Sequence, residues 1–151
     1  MDLERKLGNA LATRFKQNPL LARVRMRVTS ENSPLVNGDL VIVSKRGEGN
    51  PPYSGIYNMD VTCTYTLKHR KSVDTLAQFL KVCEAMEQVF GVATYTLAAQ
   101  LSLCVENFHC YEVAVTGKDD TPEEKAHKCV WTLSAIAMSQ AYATASKLQS
   151  R

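Results

Sequence analysis

The first apolar residues of the chain are spaced four positions apart, within MDLERKLGNALATRFKQNP. This spacing is typical of one face of an amphipathic helix. The segment is expected to end at Asn18-Pro19, because proline cannot continue a helix. Gly8 lowers the helix propensity by about 1 kcal/mol relative to alanine, so the helix is predicted to depend on packing. Its apolar face consists of Leu3, Leu7, Leu11 and Phe15.

Two later segments alternate apolar and polar residues with the period of a half-buried strand. In LARVRMRVTS one face carries Val24, Met26 and Val28, and the other carries Arg23, Arg25 and Arg27. The clearest strand is IYNMDVTCTYTL, residues 56–67. Its apolar face is predicted to comprise Tyr57, Met59, Val61, Cys63, Tyr65 and Leu67.

Between these strands, LVIVSK is predicted to be a short strand and RGEGNPPYSG a flexible loop rich in glycine and proline. After them, SVDTLAQFLKVCEAMEQVFG is predicted to be a helix with Ser72 as the N-cap and Gly91 just beyond its end. A shorter helix is predicted near 96–103. The core stripe of the longer helix is predicted to be Val73, Leu76, Ala77, Leu80, Cys83, Met86 or Ala85, and Phe90.

The last two predicted strands, 107–115 and 127–138, contain two of the three histidines and two of the five cysteines. Neighbouring residues on a strand point to opposite faces, so His109 and Cys110 cannot both bind one metal ion. In the first strand, strict alternation groups His109 with Tyr111, Val113 and Val115, and it groups Phe108 with Cys110, Glu112 and Ala114. In the second strand, the residues predicted to pack inward include His127, Cys129 and Trp131.

These elements predict an α+β fold with a mainly antiparallel sheet of about four to five strands. The N-terminal helix and the central helix are expected to pack on one face of this sheet. Residues 1–139 are predicted to form a single domain, and 140–151 a C-terminal tail that is helical or frayed. At 151 residues the chain is long enough to bury a substantial core.

Composition points to a soluble protein of a reducing compartment. No apolar run approaches the roughly 20 residues that span a bilayer, so no membrane partner is expected. The five cysteines have no paired spacing, which fits free thiols better than a disulfide framework.

Charge is distributed unevenly along the chain. Residues 1–75 carry 12 lysines and arginines against 7 acidic residues, and residues 76–151 carry 6 against 8, for a total of +3. The arginine face can be a solvated edge strand, a phosphate-facing surface, or a subunit interface that meets the acidic loop TGKDDTPEEKA. The candidate interface residues are Arg23, Arg25, Arg27, Lys45, Arg46, Lys68, Arg70, Lys71, Asp119, Asp120, Glu123 and Glu124.

The sequence contains little that indicates catalysis. It lacks phosphate-binding glycine loops, a nucleophile elbow and any C-x₂-C pair. A thiol nucleophile would need an accessible electropositive site, whereas all five cysteines lie in apolar-patterned segments and are expected to be buried. No catalytic, metal-binding or cofactor-binding residue is therefore predicted, and the protein is expected not to be an enzyme.

Four segments together resemble the small tail terminator or tail completion proteins of tailed bacteriophages. They are YNMDVTCTYTL, VDTLAQFLKVCEAMEQVF, ENFHCYEVAV and EEKAHKCVWTLSAIAM, within residues 53–138. The resemblance implies an α/β fold with a mainly antiparallel sheet and helices on one side, and a ring, commonly hexameric, that caps the tail tube and joins it to the head.

The implied partners are other copies of the chain, the tail tube protein and a head-completion or connector protein, with DNA close by in the channel. The implied location is the tail or neck of the virion, after synthesis in the host cytoplasm. No catalytic residues or cofactors are carried over from the family. Two other hypotheses stay open: a nucleic-acid-binding module that uses Arg23, Arg25 and Arg27, and a cysteine- or metal-dependent enzyme.

Overall fold

The computed structural model describes residues 2–31, 34–69, 75–120 and 126–139. Arg70, Lys71, Glu123 and Glu124, the proposed cap Ser72, Val73 and the tail 140–151 lie outside the described residues. Within these described residues, three helices and five strands follow one another. They are α1 (Asp2–Lys16), β1 (Arg25–Thr29), β2 (Asp39–Gly49), β3 (Ile56–Lys68), α2 (Thr75–Phe90), α3 (Thr94–Cys104), β4 (Phe108–Asp119) and β5 (Ala126–Ser139).

The five strands form one mixed sheet in the order β1-β2-β3-β5-β4. Strands β1 and β2 are parallel, and the other neighbouring pairs are antiparallel. The predicted α+β class is confirmed, including an N-terminal helix and a central helix on the sheet. The order leaves β1 and β4 as the two edge strands.

The hydrophobic core lies between one face of the sheet and the helices. On β3 the predicted apolar face is confirmed, since Met59, Val61 and Cys63 are fully buried there. On β5 the predicted inward face is confirmed as well, with Cys129 and Trp131 buried. The apolar stripe of α1 is also buried as predicted: Leu3, Leu7, Leu11 and Phe15.

Gly8 lets α1 approach the edge strand β1 closely. A Cβ atom added at this position would clash with the Val28 Cγ1 atom. The residue is therefore required by packing, although glycine weakens an isolated helix. The helix was predicted to depend on packing, and the close contact of Gly8 with Val28, where α1 crosses β1, is one such packing contact.

The predicted core stripe of α2 was partly wrong: Cys83, Met86 and Ala85 are buried as predicted, but the stripe was misplaced in the first half of the helix. Leu76 and Leu80 were expected inside, but they are 50% and 52% exposed. Almost every turn of this helix carries apolar residues, so two neighbouring stripes were possible and contacts with the sheet selected the other one. The buried residues are Thr75, Phe79, Val82, Cys83, Ala85, Met86 and Val89.

The prediction of strict alternation along β4 was also wrong. Cys110 and Val113 are both buried, although they were assigned to opposite faces. The pairing with β5 shifts between Cys110 and Glu112 and again between Val115 and Gly117. Each shift inserts an extra residue, as in a β-bulge, and reverses the faces that follow it. His109 and Cys110 precede the first shift and lie on opposite faces as predicted.

Strand β2 is longer than the predicted LVIVSK, because Arg46–Gly49, expected to be a loop, continue its pairing with β3. Strand β1 is shorter than the alternating segment, and Arg23 lies in the turn before it. The short helix predicted near 96–103 is confirmed as α3.

Candidate interaction surface

The face of the sheet opposite the described helices, here called the open face, is partly exposed, although Asp39, Val41, Thr64 and Thr66 on it are buried. Alternate residues of the central strands point toward this open face, and many of them are threonines. Thr132 and Ser134 of β5 are exposed there. A shallow depression of about 270 Å³ on it is lined by Leu35, Val41, Val43, Lys45, Asp60, Thr62, Thr64, Lys128 and Val130.

The arginines of β1 lie on the open face at one edge of the sheet. Arg25 is paired in register with Asp39 and Arg27 with Val41, so both side chains project from the side away from the helices. Arg23, Arg25 and Arg27 are all exposed. The predicted separation from the apolar side of the segment is therefore correct for Arg25 and Arg27, whereas Arg23 lies in the turn before the strand.

Arg25 and Arg27 differ in their contacts. The Arg25 Nε atom donates to the Asp39 Oδ2 atom at 3.2 Å, and the Asp39 side chain is only 5% exposed. Arg27 donates from Nη1 to the Pro34 carbonyl oxygen at 3.5 Å. Within the described part of the chain no carboxylate lies within 4 Å of the Arg27 guanidinium. Arg27 therefore carries the less compensated positive charge.

Lys45 and Arg46 do not extend the arginine row as one continuous patch. They were expected at a strand end, but β2 continues past them and they point to opposite faces. Lys45 is opposite Asp60 on the open face. Arg46 lies on the helix side, where its Nε atom is 3.6 Å from the Glu4 Oε1 atom and its guanidinium is 4.7 Å from the Tyr57 ring centroid. Arg46 is therefore a structural contact between α1 and the sheet.

The acidic candidates lie at the other edge of the sheet. Asp119, the last residue of β4, and the adjacent Asp120 are both exposed. Asp119 is opposite Val130 near the beginning of β5, and Lys68 is opposite Ala126 at the same end of the sheet. Arg25 begins β1 at this end too, because it pairs with the first residue of β2. At this end of the sheet, the β1 edge therefore carries positive groups and the β4 edge carries negative groups.

Four strand spacings separate the two edges, which corresponds to about 19 Å. At this distance the arginines and the aspartates of one copy are well beyond direct ion pairing. The two edges therefore do not pair with each other within one copy, and their charges are of opposite sign.

The histidines of the hairpin pack against aromatic rings. The His127 ring centroid is 4.2 Å from that of His69 and 5.2 Å from that of Phe79. His109 lies 4.4 Å from the Tyr111 ring. Across the described residues, no three His, Cys, Asp or Glu side chains are grouped as they would be around a metal ion.

Four of the five cysteines are buried, as expected: Cys63, Cys83, Cys110 and Cys129. Cys104 is only partly buried, because it lies in the last turn of α3. Burial raises the pKa of the Cys63 and Cys110 thiols to about 12. These two thiols are thus held in the neutral form at physiological pH.

The chain matches no protein-family model and no curated protein. Of the helices that the structure describes, none has the length and apolar character needed to cross a membrane.

Proposed function

We propose that the protein is a structural virion protein of a tailed bacteriophage, a tail terminator or tail completion protein. It forms a ring at the end of the tail tube and joins the tube to the head. The phage assignment rests on the sequence resemblance of residues 53–138. Self-assembly is supported by one geometric observation, the opposite charges of the two sheet edges at the same end of the sheet.

A contact between two different surfaces of the same chain produces a head-to-tail assembly, and such an assembly closes into a ring when the rotation between copies allows it. In this arrangement the β1 edge of one copy faces the β4 edge of the next. Arg27 then approaches the carboxylates of Asp119 and Asp120. Six copies are the number that the resemblance implies.

Side chains, and not continuous strand pairing, are expected to make this contact. Strand β1 has only five residues, and two of them are arginines that point to the open face of the sheet. The register of β4 is interrupted twice. Short strands, charges and bulges all discourage the addition of another strand to a sheet edge. Charge complementarity is therefore the main determinant of the proposed interface.

The tail tube protein and a head-completion or connector protein are the proposed partners above and below the ring. The proposed location is the tail or neck of the virion. Detection of the protein in purified phage particles by mass spectrometry, and of labelled copies at the neck by electron microscopy, tests this assignment directly. Particles that lack the protein altogether would refute it.

The interface is tested by charge reversal. Arg27→Glu and the double variant Asp119→Lys/Asp120→Lys are each expected to weaken ring formation, and their combination to restore it in part. Arg27 is a cleaner choice than Arg25, because reversing Arg25 also places two carboxylates together at Asp39. Native mass spectrometry at micromolar concentration, with the tail tube protein present, measures the fraction of protein in rings.

Lys81→Glu is the matched control, since it reverses one exposed charge that lies on the helix α2 and not on an edge strand. It is expected to leave the ring intact. If the combined variant assembles no better than its parents, these two edges do not meet, whereas the assignment to the virion stands or falls on the particle analysis.

The alternative is a nucleic-acid-binding module that uses the three exposed arginines. Its test is binding of duplex or single-stranded DNA at several salt concentrations, because phosphate contacts make affinity fall steeply with salt. Replacement of Arg23, Arg25 and Arg27 by alanine should abolish such binding. Absence of binding at low salt would reject this alternative.

A further inference from the structure

Two contacts, one with β5 and one with the neighbouring strand β4, fix the position of helix α2 on the sheet. Near one end of the helix, the Phe79 ring stacks on His127 with centroids 5.2 Å apart. Farther along, the Glu87 Oε1 atom accepts a hydrogen bond from the Lys118 Nζ atom at 2.6 Å. Lys118 is opposite Trp131 in the pairing of β4 with β5. The segment of α2 between Phe79 and Glu87 is therefore held over the strand between His127 and Trp131.

This alignment places two cysteines against each other. Four residues of an α-helix advance about 6 Å, which is close to the 6.4–6.8 Å spanned by about two residues of a strand. Cys83 follows Phe79 by one such step on the helix, and Cys129 follows His127 by one step on the strand. The two buried thiols therefore face each other across the boundary between helix and sheet, close enough to interact.

The surroundings of this pair make its two thiols unequal. The interaction with the Cys129 thiol lowers the pKa of Cys83 and burial opposes it. The nearby Lys118 cation also lowers this pKa, whereas the carboxylates of Asp120 and Glu87 raise it. The same interaction between the thiols, together with burial, raises the pKa of Cys129. Cys83 is 6% exposed and Cys129 is 0% exposed. Cys83 is thus both the more acidic and the more accessible thiol of the pair.

We propose that Cys83 and Cys129 are a site of reversible disulfide formation that links α2 covalently to β5. With a small-molecule disulfide as oxidant, the Cys83 thiolate attacks one of its sulfurs, forms a mixed disulfide and releases one thiolate. Cys129 then loses its proton and its sulfur attacks the Cys83 sulfur, which displaces the second thiolate. The protein loses two protons and two electrons, and the oxidant is reduced to two thiols.

The other cysteines lack the features that favour this reaction. The thiols of Cys63 and Cys110 have a pKa of about 12 because of burial. Burial likewise raises the pKa of Cys104, against a smaller opposing effect of Arg14. Oxidation is therefore expected to be selective for one pair, and the bond is expected to persist in an oxidising compartment and open in a reducing one.

The test is oxidation of the folded full-length protein with oxidised glutathione, followed by alkylation under denaturing conditions. Alkylated thiols should fall from the five of the reduced chain to three, and the mass before alkylation should decrease by about 2 Da, the two hydrogens lost. Peptide mapping should show a single cross-link between Cys83 and Cys129. Dithiothreitol should restore all five thiols.

Cys104→Ser is the matched control, because it removes the most exposed cysteine, and it should cross-link as the unchanged protein does. Cys83→Ser should keep all its thiols or carry a glutathione adduct without any internal cross-link. Circular dichroism checks that each variant is folded. Five remaining thiols in the oxidised unchanged protein, a stable glutathione adduct at Cys83, or a cross-link between other cysteines would each overturn the proposal.

Discussion

The two faces of the sheet are built from the same strands but differ in what covers them. On β5, Leu133 and Ala135 point into the core beneath the helices, while their neighbours Thr132 and Ser134 point to the open face and are exposed. Burial of apolar area is the main favourable contribution to folding, so the helix side carries the stability. Exposed residues of the open face, such as Thr132 and Ser134, contribute less to stability, and their side chains can contact other molecules.

The largest difference in the free energy of unfolding is expected between two adjacent substitutions on β5, one on each face of the sheet. Leu133→Ala removes a fully buried side chain and is expected to lower the free energy of unfolding by about 2–5 kcal/mol. Ser134→Ala, one residue away on the open face, should change it by less than about 0.5 kcal/mol. Urea denaturation of both variants measures the difference. Equal losses would mean that the open face is also part of the folded core.

Oxidation of the Cys83–Cys129 pair is expected to have the next largest effect. A disulfide between α2 and β5 constrains the unfolded chain and should raise the free energy of unfolding by about 2–4 kcal/mol. Denaturation of the oxidised and reduced proteins, with Cys104→Ser treated in the same way, provides the comparison. A destabilised oxidised form would show that closing the bond distorts the packing of the helix on the sheet.

A smaller effect is expected where α1 crosses β1. Gly8→Ala improves helix propensity, but its methyl group would clash with Val28, so the net loss should be about 1–3 kcal/mol. In a Val28→Ala background the clash is relieved, and the same change should instead stabilise the protein by up to about 1 kcal/mol. Thermal denaturation of the unchanged protein, the two single variants and the double variant measures whether the effect of Gly8→Ala on stability changes sign. If Gly8→Ala destabilises the protein in both backgrounds, the clash with Val28 is not the cause of the loss.

The smallest effect on stability is expected from the charged edges. Arg27→Glu should change the free energy of unfolding of the isolated chain by less than about 0.5 kcal/mol, because an exposed charge contributes little. Arg25→Glu should cost more, since it leaves the buried Asp39 carboxylate without its partner and adds a like charge. Denaturant titration of the two variants, at a concentration where no assembly occurs, tests this ranking.

Much of the fold could be predicted from local patterns. The period of the apolar residues correctly identified α1, the inward face of β3 and the inward face of β5. It also separated His109 from Cys110 and placed the arginines of β1 away from the core. These predictions succeeded because the side-chain direction within one regular element depends only on its own repeat.

The errors arose where the repeat was ambiguous or interrupted. Leu76 and Leu80 were assigned to the core because α2 is apolar on more than one side. The faces of β4 were exchanged after Tyr111 because a bulge adds a residue without any clear signal in the sequence. Arg46 was grouped with the other basic residues because nothing in its neighbourhood revealed that β2 continues and turns the residue toward α1.

The amino-acid sequence by itself determined the helices and strands, most of their buried faces, and the uneven distribution of charge along the chain. Only the tertiary structure decided which strands became edges, where Arg27 and Asp119 lie relative to each other, and that Cys83 meets Cys129. The physical reason is the distance along the chain over which each kind of interaction acts. A hydrophobic repeat acts within one element, whereas strand order and the alignment of α2 with β5 depend on packing between residues far apart in the chain.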